Sequence, residues 1–499
     1  MKFKSSIVLM AMLFASSALP ALAAPAANAL VIAQNTTVNT LDPHNTASVA
    51  TDLSVISHLY SSLVIRGPDL KLTPSLAKDW RQLDENTWRI DLVPNAVFAN
   101  GEKMDAETVK WNIDHVRDPK VNARVRAWFT LIKDVKVISP TQLDIITSSP
   151  YPTLMDQLSM FFLLPPKWAA ENKPARQAVS GGPYKLASFT PGDSIVLEPN
   201  PKYWGPKPAY SKVTFRVIPE ASSRIAALLA GEVDLITGIP PSELDRINKS
   251  GKATAGAVPS IRSVFIKFNT QKAPLKDNKK FRQALNYAID KESISKSLFN
   301  GKADISNCQV LTPNYFGYNP DLKPYPYDPA KAKALLAESG VPAGTQIEFD
   351  VPVGVYLQSS EVAQAVASQL EEIGVKAKIN EMEFGTYMNK YIRSKELAPL
   401  SYLGQAWPTI DADGFLTMFE PGNPYAYWDN AEFGKLLADG RTTATGKRIA
   451  AYRQATRLMC EEAPVVFLFA QPATYAYAKR VEWQPRGDDW IRAFDFKHK

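Results

Sequence analysis

Residues 406–416 read AWPTIDADGFL. A lone indole, Trp407, stands upstream of two carboxylates, Asp411 and Asp413, and Gly414 and an apolar pair follow. Two chemistries suit this spacing. An indole offers broad area and a single N–H donor, so beside carboxylates it can wall a pocket for a ligand of mixed polarity. Alternatively the aspartates cap the helix that follows, an ordinary task for Asp, and Trp407 packs under the loop. Capping is the expected role of Asp413, while Asp411 stays open between cap and ligand contact.

Other chemistries leave less trace. No HExxH or paired-cysteine metal signature occurs, and the four histidines, His44, His58, His115 and His498, are not spaced as a local metal pair. His115 follows Trp111 by one helical turn, a spacing that favours packing. The stretch GRTTATGK has five residues between Gly440 and Gly446, and Lys447 is followed by Arg448 instead of Ser or Thr. It is therefore not a phosphate-binding loop. No GxSxG elbow is present, and a dispersed triad leaves no mark in a single sequence. No catalytic residue, metal ligand or cofactor is expected.

The N-terminus, MKFKSSIVLMAMLFASSALPALA, joins Lys2 and Lys4 to a short apolar core and an Ala21-Leu22-Ala23 cleavage site. This is the pattern of a secretory signal peptide over residues 1–23. Its core falls well short of the roughly 20 residues a membrane-spanning helix needs. The remaining chain of about 475 residues suits two or three domains. The net charge of +7 is mild for the length, without a run of five like charges, so nucleic acid is not an expected partner. Cys308 and Cys460 are the two cysteines. Export permits a disulfide, but separate buried thiols are the expected arrangement.

The elements that must position these residues read as α/β. In DPAKAKALLAESG, Asp328 suits the N-cap, Pro329 the first helical position and Gly340 the C′ position. SSRIAALLAGEVDLIT is a helix stopped at Gly231 and followed by a short strand. SSEVAQAVASQLEEIGVKAKIN is a helix stopped at Gly374, followed by an alternating strand. TWRIDLVP, SKVTFRVIP, VFIKFNT and PVVFLF read as strands, and Asp105 caps a helix around Val109–Val116. Helix–glycine–strand units of this kind argue for α/β architecture. No short repeat or heptad array is visible.

SGGPYKLASF (180–189), NPKYWG (200–205), the GEVDL segment with Arg224 before it, and FRQALNYAID resemble, together and in this order, the family 5 extracellular solute-binding proteins of bacterial ABC importers, which include peptide- and nickel-binding members. The likeness covers essentially the whole exported chain. Gly181 stands where the family's GTGPY pattern has threonine. The resemblance implies two α/β lobes joined by a hinge, with an extra α/β domain inserted in the first. Lobe one would take 30–65, 180–265 and 475–499, the inserted domain 66–179, and lobe two 270–470. Crossovers are expected near Phe265–Thr270 and Phe469–Tyr475. Ligand would bind between the lobes and close them, and the closed form would dock on the membrane permease of the importer.

In peptide-binding members a Trp in this region is followed three residues later by an Asp that pairs with the peptide's amino group. Here Trp407 is present but position 410 is Ile, and the carboxylates come in DADGF. Asp411 either slides into the amine role, since a buried charge needs a partner, or caps a helix. Tyr356, in PVGVYLQSSEV, is expected on a strand-to-helix turn facing the cleft, with a helix start near Ser359 or Ser360 suited to a ligand anion. Tyr387, and on the first lobe Asn45 and Arg262, complete the candidate ligand-binding set. The expected function is a periplasmic substrate-binding component of an ABC importer capturing peptides. The alternative is the same transport role for a non-peptide solute, namely an opine-like compound, a sugar conjugate or a chelated metal; a periplasmic hydrolase is the remote third reading. Bare nickel is a poor ligand for so few histidines. A monomer is the family expectation.

Overall fold

The structure, a computed structural model, describes residues 28–46 and 50–498. The expected signal peptide lies outside the described residues. Three sheets organise the chain. The seven-stranded sheet runs Ala253–Val258, Ala473–Ala478, Leu235–Thr237, Ala29–Gln34, Lys212–Val217, Ser194–Pro199 and Tyr184–Thr190. The strand Ala29–Gln34 sits between two parallel neighbours, Lys212–Val217 and Leu235–Thr237. Those neighbours are joined by the helix Ala221–Ala230, which ends at Gly231 in the left-handed conformation, φ +80°. Only glycine reaches that region without a Cβ penalty. The motif arginine, Arg224, has a structural task here. Its buried guanidinium donates to the carbonyls of Ile218, Pro219, Thr237 and Gly238, tying the helix start to both strand ends.

The six-stranded sheet runs Asp304–Ile305, Val465–Ala470, Ser263–Phe268, Leu400–Gln405, Thr345–Val353 and Val375–Glu383. Its strands Ser263–Phe268 and Val465–Ala470 are buried at every position, including Lys267, whose ammonium donates to the Tyr391 hydroxyl and the Tyr425 carbonyl. The helix Ser359–Glu372 joins the parallel pair Thr345–Val353 and Val375–Glu383. The four-stranded antiparallel sheet, Ala77–Asp84, Thr87–Leu92, Gln142–Thr147 and Ile132–Ser139, has its own core, packed by the helix Ala106–Arg117. Asp105 caps that helix, accepting from Thr108 N, and Asp328 caps Pro329–Glu338, accepting from Lys331 N.

The chain passes between the two larger sheets twice. Ser263–Phe268 lies wholly in the six-stranded sheet, so the first crossover is residues 259–262, ahead of the 265–270 expected from sequence. The second is residues 471–472. The two are stitched together: Ser260 Oγ donates to the Gln471 carbonyl at 2.5 Å, and Gln471 N donates to the Arg262 carbonyl at 2.9 Å.

Cys308 and Cys460 are bonded, with Cα atoms 5.2 Å apart. This corrects the expectation of separate thiols. The two positions are 152 residues apart in sequence, and that separation hides their closeness: the helix Thr445–Glu462 brings Cys460 beneath the loop that carries Cys308. Two steric facts explain the SGGPY stretch. A Cβ on Gly181 would lie 2.9 Å from the Phe98 ring, and one on Gly182 would lie 2.5 Å from the His58 carbonyl oxygen. The departure at Gly181 is thus matched by Phe98, which fills the space a threonine would need.

Candidate functional site

The site sits at the seam between the second lobe and the first lobe with its inserted domain. After the strand Leu400–Gln405 the chain makes a tight turn in which Ile410 N donates to the Trp407 carbonyl at 3.0 Å. Ile410 has φ +55°, a left-handed conformation that is rare and costly for a β-branched residue. That turn sends Trp407 and Asp411 in different directions.

Trp407 goes to the seam. Its ring meets Trp128 of the inserted domain edge-on, centroids 6.4 Å apart. On its other side it lies against Gly414, where any Cβ would collide with the indole and with Thr409 Oγ1. The indole N–H and Thr409 Oγ1 are both buried with no hydrogen-bond partner among the described residues. The Tyr315 hydroxyl fixes the turn. It accepts from Trp407 N at 2.8 Å and offers its single proton to the Ile261 and Trp407 carbonyls, at 3.1 and 3.3 Å. The first crossover and the tryptophan turn therefore share one pin.

Asp411 goes inward. It is the N-cap of the helix Ala412–Leu416, accepting from Asp413 N, and both its oxygens lie 2.8 Å from Arg448 Nη2. Asp413 is not the cap expected from sequence. It pairs with Arg441 at 2.9 Å, and Arg441 also grips Glu420. Burial pushes the Asp411 carboxyl up to about 6, against the downward pull of Arg448. Both carboxylates of the DADGF stretch are thus matched by arginines of GRTTATGKR, which carries no phosphate chemistry but holds this corner together.

Tyr356 and Arg262 come together beside the crossovers, the guanidinium 5.9 Å from the ring centroid. Arg262 is bound to Asp489 at 2.8 Å and donates to the Gly404 carbonyl. A Cβ on Gly404 would strike the Tyr356 ring, which explains why glycine stands there. The helix Ser359–Glu372 begins at this point, and Leu357 N donates to Gln471 Oε1 of the second crossover. Two candidates lie elsewhere. Tyr387 is fully buried in the second lobe's core, its hydroxyl donating to the Tyr402 carbonyl at 2.9 Å, so it faces other side chains and not the seam. Asn45 is exposed and away from Trp407: it donates to Asp42 and accepts from Arg124 N, 79 positions along the chain in the inserted domain. His115 stacks on Trp111 at 4.5 Å, the packing role its spacing suggests.

Sequence reasoning missed Arg66 and Trp128. Arg66 is the main polar bolt across the seam. It donates to the Pro408 and Thr409 carbonyls at 2.9 and 2.5 Å, and on its own side to the Leu70 carbonyl and Asp156. Its own carbonyl accepts from Arg486 and Arg492 of the C-terminal segment. No local signal marks such a residue, since its partners are 342 and 343 positions away. Among the described residues no group of three or more His, Cys, Asp or Glu is placed to hold a metal, and no helix is long and apolar enough to cross a membrane.

What this arrangement can do is close on something. Two lobes meet through aromatic and arginine contacts, two short stitched crossovers join them, and at the tryptophan turn two buried polar atoms, the indole N–H and Thr409 Oγ1, lack partners among the described residues. The dipeptide-binding protein of Escherichia coli (strain K12) is 27% identical over 448 residues, 82% of this chain and 83% of its own. In shape, the chain matches the periplasmic binding protein DppA from Helicobacter pylori in complex with peptide STSA, with a TM-score of 0.85 at 23% identity, covering 94% of this chain and 98% of that one. It also matches AgaA from A. tumefaciens R10 in complex with agropinic acid, with a TM-score of 0.84 at 24% identity, covering 94% and 99%. The family model for bacterial extracellular solute-binding proteins, family 5, matches residues 71–426, and the chain belongs to that family.

Proposed function

We propose that the protein works in the periplasm, closes its two lobes over a short peptide or peptide-like solute, and presents the closed form to the permease of an ABC importer as a monomer. As a family 5 member it is the substrate-binding component of such an importer. The work is capture, not catalysis. The observation that carries this reading is the Trp407–Trp128 contact across the seam, with the indole N–H and Thr409 Oγ1 left for a ligand to satisfy. A buried polar group without a partner costs free energy, and a ligand carbonyl or hydroxyl would recover it. The printed ligands of the relatives, a dipeptide and the peptide STSA, support the peptide class.

One observation favours a second reading, a non-peptide solute such as an opine-like compound. Asp411 already holds Arg448 and its helix cap, so a ligand ammonium finds no free carboxylate there. Thermal unfolding with free and N-acetylated di- to hexapeptides, alongside opine-like compounds and sugars, separates the two. A ligand bound only by the folded state adds about 2.7 kcal/mol at a hundredfold excess over its Kd. Stabilisation by peptides supports the first reading, whether or not acetylation matters. A shift with opines alone moves the assignment to the second, and turnover of any member would argue against pure capture.

A further inference from the structure

A second part of the seam has a chemistry that the tryptophan pair does not explain. The turn Arg124–Phe129, sequence RVRAWF, faces the second lobe, and a cleft of about 750 Å³ opens beside it, lined by residues 122–124, 126, 127 and 130 of the inserted domain and by Arg393 of the second lobe. Arg124, Arg126 and Arg393 are exposed, and none makes an ion pair among the described residues. Arginines deeper in the seam behave otherwise: Arg66, Arg262, Arg441 and Arg448 all hold carboxylates. These three arginines thus stand where both lobes border open space. Trp128 lies in the same turn as Arg124 and Arg126, and its ring meets Trp407 edge-on, so the turn borders both the cleft and the tryptophan contact.

We propose that this cleft takes the anionic end of the captured solute, and that the solute is a small molecule with at least two carboxylates. Like charges on two lobes oppose closure until an anion lies between them; guanidinium groups are well shaped to bind carboxylate in two-point fashion. A solute spanning both regions would place its polar body on Trp407 and its acid groups between Arg124, Arg126 and Arg393. This deepens the capture reading above and rests on it.

The test is retention. The full exported chain is incubated with an equimolar pool of Ala-Gln, Ala-Glu, Ala-Lys, succinate, citrate and glucose, desalted, and its bound solutes identified by mass spectrometry. Members with two or more carboxylates should be enriched, and the triple variant R124Q/R126Q/R393Q should retain them at least tenfold less. Enrichment of Ala-Gln, Ala-Lys or glucose to the same degree, or acid retention unchanged in the variant, overturns this proposal and leaves capture standing. Retention of nothing overturns this proposal, while capture falls only if the peptides, opine-like compounds and sugars of the unfolding panel also give no shift. Competition by inorganic phosphate alone, at equal strength, would mean a general anion site and would also overturn it. A solute-free arm guards against misfolding: R393E replaces repulsion by attraction across the cleft, so its radius of gyration should fall in small-angle scattering, and an unchanged value counts against the arginines acting on one another. If the triple variant binds solute normally but fails to drive uptake through the permease, the arginines serve docking and the proposal fails.

Discussion

At the scale of single residues, the seam is governed by which carboxylates are already matched. Asp411 is buried with Arg448 as its cation. Removing one member of such a pair strands the other charge. Arg448→Met should therefore cost about 3–5 kcal/mol in denaturant unfolding at neutral pH, and adding Asp411→Asn should recover most of that. The same pair sets a pH dependence. The folded Asp411 carboxyl is pushed up to about 6 by burial, above its ordinary value near 3.8. The folded state then holds more protons than the unfolded state between those values, so this group's contribution to stability falls as pH rises from about 4 to about 6. Urea midpoints of wild type and Asp411→Asn, compared across that window, should diverge in that sense; parallel curves would show that Arg448 cancels the effect of burial. Legibility at this scale was uneven. Trp407 and the capping alternative for Asp411 could be read from type and spacing. The role of Arg448 could not, because ion pairing in a fold depends on where the helix Thr445–Glu462 docks, and nothing in GRTTATGKR reports its distance from DADGF.

At the scale of elements, local chemistry was a good guide at most helix ends that carried their own signal, Asp413 being the exception because Asp411 takes the cap. Asp105, Asp328, Gly231 and Gly374 mark boundaries because each satisfies or releases backbone groups within a few residues of itself. Asp328→Ala should accordingly lower stability by about 1 kcal/mol, read as a shift in midpoint without a change in slope. What failed at this scale was non-local. The sequence VFIKFNT reads as a strand on either side of a hinge, and only pairing with Leu400–Gln405 and Val465–Ala470 places it in the second lobe. The cysteines follow the same logic. Their bond closes a long loop and restricts the unfolded chain by an entropy worth up to about 5 kcal/mol on the loop-closure model. Cys308→Ser with Cys460→Ser should lose a large part of that, and reductant should destabilise wild type but leave the double variant unmoved.

At the scale of the whole molecule, Arg66 links three parts of the chain: its own domain through Asp156, the second lobe through Pro408 and Thr409, and the C-terminal segment through its carbonyl. The bonds to 408 and 409 exist only when the lobes are together. Arg66→Ala should shift the population toward the open form, increasing the radius of gyration in scattering and raising the dissociation rate of bound solute more than it lowers the association rate. An unchanged scattering profile with an unchanged dissociation rate would show that the stitched crossovers alone fix the closed geometry. The two-lobed plan was visible beforehand only through the resemblance carried by GGPYK, NPKYWG and FRQALNYAID. Composition and periodicity reach α/β architecture and stop there.

The position of one strand bears on how such a molecule comes to exist. Ala473–Ala478 lies between Leu235–Thr237 and Ala253–Val258 and pairs with both. A chain made from its N-terminus has those two strands early and must wait for the one that bridges them, roughly ten to forty seconds at ordinary synthesis rates. Through that interval the first lobe is an incomplete sheet with two unmatched edges. The lobe that begins the chain is the last to be finished.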